Sequence, residues 1–382
     1  MELESLPLIS ADSHVEEPAA LWLENLPASM VDRLPPELSP QFHAASQFAK
    51  RIGLENALEA KGATDAVASS RASSDASSDD EKLDAQRELT VDVNLRFEVL
   101  RRDGISGECI YPTSGLYVWN IEDRAVGEAC CRIYNDWIYD RLESKSPRFR
   151  CAGMIPTWDI DSAIAEVHRI AALGLAAAML PLVGTPEYNH RDWKRLWRAI
   201  EEVGLPVVMH QGTGHDMFFY RGPGSAVSNL FATQSMAPRA VALLGTSGVL
   251  AEFPSLHFVF VETNAGWLSW AMNTVDFYYD AFQEYEGWVR PILPEKPSFY
   301  IARQIHSTFQ IDPVAVRNLD STGVEPLLWG SDFPHAEGTY PNSRQTVVDL
   351  FSGLDLDATA RIVAGTAAQL FHFDPEILVT PV

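Results

Sequence analysis

LPLISADSH, residues 6–14, runs from an apolar β-like stretch directly into an Asp-x-His pair. Asp12 and His14 are two residues apart, so on a strand their side chains point the same way. The same grammar, a short apolar run ending in polar residues that can do chemistry, recurs along the chain. PVVMH (206–210) runs into His210-Gln211-Gly212, and PLLWGS (326–331) into Asp332-Phe333-Pro334-His335. Further β-like runs are ISGECIY (105–111), CAGMI (151–155), AAAML (176–180) and HFVFV (257–261), with a weaker one at 302–309. Several are nearly all apolar, as strands buried on both faces are.

Helical periodicity fills the intervals, at 124–142, 161–173, 191–203, 238–253 and 263–285. Strands alternating with helices predict an α/β fold, a (β/α)8 TIM barrel occupying residues 1–382 as one domain. An open doubly wound sheet is the alternative, but the Gly-rich phosphate turn it usually carries is not seen. The ninety residues 15–104 exceed what a minimal barrel needs. Within them 60–84 (AKGATDAVASSRASSDASSDDEKLD) is small, polar and low in complexity. Such a stretch buries too little apolar surface to offset its ordering entropy. Because strand one ends at the active face, 15–104 is expected to form a lid or a subunit contact, with 60–84 as its flexible part. Residues from 355 on read as a closing amphipathic helix.

Composition narrows the function. The chain has 382 residues, 46% hydrophobic and 21% charged, the balance of a globular protein. Its net charge of −23, from 29 basic and 52 acidic residues, opposes nucleic acid and anionic membranes as partners. An anionic substrate would need a local positive centre, which a divalent metal supplies. Cys109, Cys130, Cys131 and Cys151 form no CxxC pair and read as buried thiols of a reducing compartment. The acidic N-terminus MELESLPLIS is not a signal peptide, and no apolar run is long enough for a membrane helix, so a cytoplasmic location is expected.

In a barrel the C-terminal strand ends converge on one face, where active sites are built. Asp12, His14, His210 and Asp332 then form a mixed N/O set suited to Zn²⁺, with Mn²⁺ or Fe²⁺ as alternatives. Each alone has an ordinary explanation: an Asp-x-His pair can be a cap, and Asp332 can cap the turn that follows it. His335 can orient Asp332 or reach substrate. His215, on the Gly-rich loop QGTGHD, and Trp267 are candidate substrate contacts at the mouth. Arg303 and His306, near the weak seventh strand, are candidates for binding a substrate carboxylate. His43, His168, His190, His257 and His372 read as structural.

ADSHVEEPAALW, VVMHQG, VFVETNAGW and LLWGSDFPHAEGTYPNS, taken in order, resemble the amidohydrolase-related family of the amidohydrolase superfamily. That family groups with metal-dependent decarboxylases such as the aminocarboxymuconate-semialdehyde and γ-resorcylate decarboxylases. The resemblance runs from Ile9 to about Phe371. It implies a distorted barrel with one divalent metal, whose ligands fall on Asp12, His14, His210 and Asp332, and a homodimer. It also implies non-oxidative decarboxylation of an aromatic or unsaturated carboxylic acid, with Asp332 or Glu262 handling the proton. The well-studied decarboxylases carry a His after strand six, where this chain has Glu262. A carboxylate there tilts toward the alternative, a metal-dependent hydrolase acting on an amide, lactone or C–C bond through metal-activated water. A barrel that has lost its chemistry and serves as a scaffold is the third reading.

Overall fold

A computed structural model describes residues 2–18, 20–34, 38, 87–214, 220–285, 287–380 and 382. The stretch 60–84 therefore lies outside the described residues, as does much of the expected lid. Eight parallel strands follow one another around a sheet in sequence order. They are β1 (Ile9–Val15), β2 (Gly107–Pro112), β3 (Phe149–Met154), β4 (Ala177–Val183), β5 (Val207–Gly214), β6 (Phe258–Val261), β7 (Ile305–Phe309) and β8 (Leu327–Trp329). Nearly every strand residue is buried, because helices cover the outer face while side chains fill the interior.

The longer helices among the described residues are α1 (Val93–Asp103), α2 (Arg124–Arg141), α3 (Ile160–Leu173), α4 (Lys194–Val203), α5 (Ser225–Gln234), α6 (Met236–Thr246), α7 (Leu268–Phe282), α8 (Pro297–Gln304) and α9 (Ser343–Phe351). Asp92, Asp123 and Asp159 cap α1, α2 and α3 by accepting from backbone N–H groups of the first turn.

Several boundaries differ from the sequence expectation. β1 begins three residues later and runs through Asp12 and His14 instead of ending before them. The 238–253 helix is α6 followed by a separate turn, Val249–Glu252, with Gly248 at φ +87° between them. The 263–285 helix starts only at Leu268, because Glu262 and Asn264 adopt left-handed backbone conformations that no helix accommodates. Residues 302–304 finish α8 instead of starting β7.

β8 is too short to close the barrel by itself. Closure comes from the chain just beyond it, where the Asp332 amide donates to the Asp12 carbonyl and the His14 amide to the Phe333 carbonyl, both at 2.7 Å. Gly330 permits that approach, since a Cβ there would fall 2.4 Å from the Cβ of Asp12.

Beneath the mouth lies a fully buried ion pair. Arg96 of α1 donates from Nε to Glu108 Oε2 at 2.7 Å, and from Nη1 to the carbonyls of His14 and Thr90. Breaking a buried pair strands a charge, which costs about 3–5 kcal/mol, whereas replacing both partners with apolar groups is far less damaging. Arg96→Met should therefore lower the denaturant midpoint sharply, and the added change Glu108→Leu should recover most of the loss. A double variant no more stable than Arg96→Met would show that the pair does not dominate this region.

Candidate functional site

The strand ends of β1, β5, β6 and β8 bring six titratable side chains together. A bulge in β1 sets the first of them. Ser10 pairs with Glu108 and Ser13 with Ile110, so β1 uses one residue more than β2 between these points. The extra residue re-aims the strand, and Asp12 and His14 then share the inner face. His14 Nε2 lies 3.6 Å from Asp12 Oδ1, 3.7 Å from Asp332 Oδ1 and 3.0 Å from His210 Nε2 across the barrel. Asp332 sits at φ +56°, just after β8, in a conformation the closing hydrogen bonds hold.

Both imidazoles have a defined tautomer. His14 Nδ1 faces the Pro112 carbonyl at 2.9 Å, and His210 Nδ1 the Gln211 carbonyl at 2.8 Å. A carbonyl only accepts, so each Nδ1 carries the proton, and each Nε2 presents a lone pair while the ring is neutral. Burial keeps the rings neutral by pulling both pKa values down to about 3. Two lone pairs facing each other at 3.0 Å repel. In addition, Asp12 Oδ1 and Asp332 Oδ2 are buried with no hydrogen-bond partner. A divalent cation accepted jointly by Asp12, His14, His210 and Asp332 would resolve both problems, and the donor set is of the right chemistry. The possible ligating atoms fall in two groups that share His14, Asp12–His14–His210 and His14–Glu262–Asp332–His335, each within 4.8 Å.

Glu262 stands beside this set. Its Oε2 is 3.2 Å from His210 Nε2, and its Oε1 accepts from Gln211 Nε2 at 2.5 Å. Burial, reinforced by Asp332 and Asp12, pushes its carboxyl well above the usual range. His335 Nδ1 is 2.8 Å from Asp332 Oδ1, and its ring lies 4.3 Å from that of His14. Burial alone would depress His335, but hydrogen bonding and attraction to Asp332 outweigh it, so its pKa rises.

The remaining sequence candidates fall elsewhere. His306 is the second residue of β7, at the opposite end of the strand from the cluster, with its ring between the Glu325 carbonyl and His257. Arg303, at the end of α8, donates to the Leu250 carbonyl and the Gln304 side chain. The chain is still helical at 303, and His306 lies at the N-terminal end of β7, so neither residue reaches the mouth. Trp267 donates its indole N–H to the Thr263 and Asn264 carbonyls, bracing the turn that carries Glu262. His215 lies outside the described residues.

Three residues that the sequence reading did not single out support the cluster. Thr308 Oγ1 donates to Asp12 Oδ2 at 3.0 Å and accepts the Glu262 amide proton at 2.7 Å, and Gln310 Nε2 reaches the same carboxylate oxygen at 3.4 Å. Thr308 and Gln310 repeat the i, i+2 pattern of Asp12 and His14 at a strand's C-terminal end, a signal that could have found them. Gln211 is held by Thr233 of α5, whose hydroxyl donates to Gln211 Oε1 at 2.6 Å, so the amide NH₂ is turned toward Glu262.

Solved structures share this architecture. A 5-carboxyvanillate decarboxylase from Sphingomonas paucimobilis superposes with a TM-score of 0.68 at 19% identity, covering 97% of this chain and 100% of that one. An amidohydrolase from Mycobacterium avium subsp. paratuberculosis K-10 gives 0.71 at 17% identity, covering 96% and 99%. A dihydroxybenzoic acid decarboxylase from Polaromonas sp. JS666, solved with manganese and 2-nitroresorcinol, gives 0.66 at 14% identity, covering 98% and 100%. No curated protein matches the chain. The amidohydrolase family model matches residues 96–373, most of the barrel including β5, β6 and β8, and the chain belongs to that family.

Proposed function

We propose that this protein is a divalent-metal-dependent carboxy-lyase that removes CO2 from a small aromatic or conjugated carboxylic acid. The observation that carries the reading is the convergence of two partnerless carboxylate oxygens and two imidazole Nε2 lone pairs at one buried site, with Glu262 and His335 alongside. The aromatic-acid decarboxylases among its structural neighbours support the substrate class, and the manganese in one of them supports a divalent ion.

Asp12, His14, His210 and Asp332 would hold the ion. When bound, it supplies a Lewis acid for the substrate oxygens and for the charge that develops as the C–C bond breaks. Thr308 fixes Asp12, and the Pro112 and Gln211 carbonyls fix the two imidazoles, so the donors are oriented beforehand. Glu262, clamped by Gln211, delivers the proton to the carbon that loses CO2. His335, anchored to Asp332, binds and orients the substrate's polar edge.

One observation favours a second reading. A carboxylate at 262 can equally take a proton from an attacking water, which suits hydrolysis of an amide or lactone. The two readings separate in one screen. Protein loaded with Mn²⁺ or Zn²⁺ is offered hydroxylated and methoxylated benzoic acids for CO2 release, and amides and lactones for hydrolysis. CO2 release from an aromatic acid is the expected result; turnover of the second group alone would replace the lyase with the hydrolase.

A further inference from the structure

Glu17 is a buried carboxylate that the proposed reaction does not use, three residues past His14 and just beyond the mouth end of β1. Its oxygens take three consecutive backbone N–H groups at the end of β2. Oε2 accepts from Thr113 at 3.2 Å and Ser114 at 2.9 Å, and Oε1 from Gly115 at 2.9 Å. A side chain at 115 would forbid this approach, since a Cβ there would lie 2.9 Å from Glu17 Oε1 and 2.7 Å from the Cβ of Pro112. Among the described residues no Lys, Arg or His pairs with the carboxylate, and the hydrogen bonds that hold it come from the backbone. Burial pushes its pKa up to about 7, and the backbone donors pull against that rise. Burying a carboxylate without a counter-ion is costly. A turn can be closed without that cost by Ser or Asn.

One peptide group connects Glu17 to the cluster. The N–H of the peptide between Pro112 and Thr113 donates to Glu17 Oε2, and its C=O accepts from His14 Nδ1 at 2.9 Å. His14 and Glu17, both from the β1 side, thus hold the two ends of a single peptide plane. We propose that Glu17 is a positioning residue for the divalent ion, acting on His14 through this peptide; the inference rests on the ligand set assigned above. A ligand imidazole commonly donates its second N–H to a carboxylate or a carbonyl, which fixes the ring and raises the basicity of the nitrogen that faces the metal. Here the carbonyl is itself backed by a carboxylate. A peptide whose N–H is bound by an anion is polarised, so its oxygen becomes a stronger acceptor. The hold on His14 tightens, and the Nε2 lone pair becomes more basic. The same turn opens the 3₁₀ segment Ser114–Asn120, which packs against β5, the strand that carries His210.

Titration of the full-length protein with Mn²⁺, followed by the electron paramagnetic resonance of the free ion, tests this without any turnover. Glu17→Gln keeps the shape and one acceptor oxygen, but it removes the charge and turns an NH₂ toward N–H donors. It is expected to bind Mn²⁺ roughly 10–100-fold more weakly than the wild type, the usual effect of losing a group behind a metal ligand. Glu143→Gln is the control. Glu143 is also buried, is lifted by burial to about 7 and accepts a backbone N–H, that of Cys151, but it precedes β3 on the N-terminal face of the barrel. Its variant should keep the wild-type affinity. Unchanged affinity in folded Glu17→Gln, or an equal loss in Glu143→Gln, would overturn the proposal. Should Glu17→Gln fail to fold, amide exchange of the wild type decides. Zn²⁺ must slow exchange at Thr113 and Ser114 more than at Cys151, and equal slowing refutes the coupling. A wild type that binds no Mn²⁺ would bring down the ligand set and this inference with it, whereas loss of the Glu17 effect alone leaves the ligand set standing.

Discussion

Dialysis against a strong chelator is expected to silence turnover and lower the melting temperature by several degrees, with Mn²⁺ or Zn²⁺ restoring both. The basis is the arrangement of Asp12, His14, His210 and Asp332. Without a cation, two imidazole lone pairs oppose each other at 3.0 Å, and two carboxylate oxygens are buried without partners. Each such group costs about 1–3 kcal/mol when left unsatisfied, more when charged. An ion that binds only the folded state adds about 4 kcal/mol at a thousand times its dissociation constant, which is the source of the thermal shift. Asp332→Asn removes one of the partnerless oxygens and weakens the hold on His335, so its stoichiometry by elemental analysis should fall well below one ion per chain. Added metal should not restore its activity. A chelated wild type that keeps full activity and an unchanged melting curve would contradict the assigned ligand set.

Glu262→Gln is expected to lower kcat by roughly 10²–10⁴-fold, the usual contribution of a positioned acid or base, while metal content stays near that of the wild type. The substitution is nearly isosteric and retains a group that Gln211 can hydrogen-bond, but it removes the transferable proton. The left-handed turn and the Thr308 contact are made by the backbone, so they survive the change. A parallel fall in metal content would recast Glu262 as a further ligand, and an unchanged kcat would move the proton transfer to His335. Gln211→Ala should show a smaller loss of the same kind, because it frees Glu262 without removing it.

Much of the architecture was legible because its signals are local. Apolar runs of strand length, separated by helical periods, forecast all eight strands within a few residues, and three of those runs ended in Asp12–His14, His210 and Asp332. Errors clustered where local pattern is ambiguous. Residues 302–304 run without a break into the strand that follows, yet they complete α8, and Arg303 and His306 both lie away from the C-terminal end of β7. The turn after β6 read as helix, because nothing in VETNAGW announces that Glu262 and Asn264 take positive φ.

From the sequence alone came the order of the elements, the repulsion of anionic polymers and the kinds of side chain at each strand end, since all of these depend on residues close together along the chain. Tertiary structure alone decided which of those side chains meet. His14 and His210 are separated by 196 positions, and Thr308 and Asp12 by 296, yet each pair is in contact. Closure of the barrel makes those contacts, and it depends on a bulge in β1 and a glycine at 330, whose consequences appear only when β8 folds back against β1.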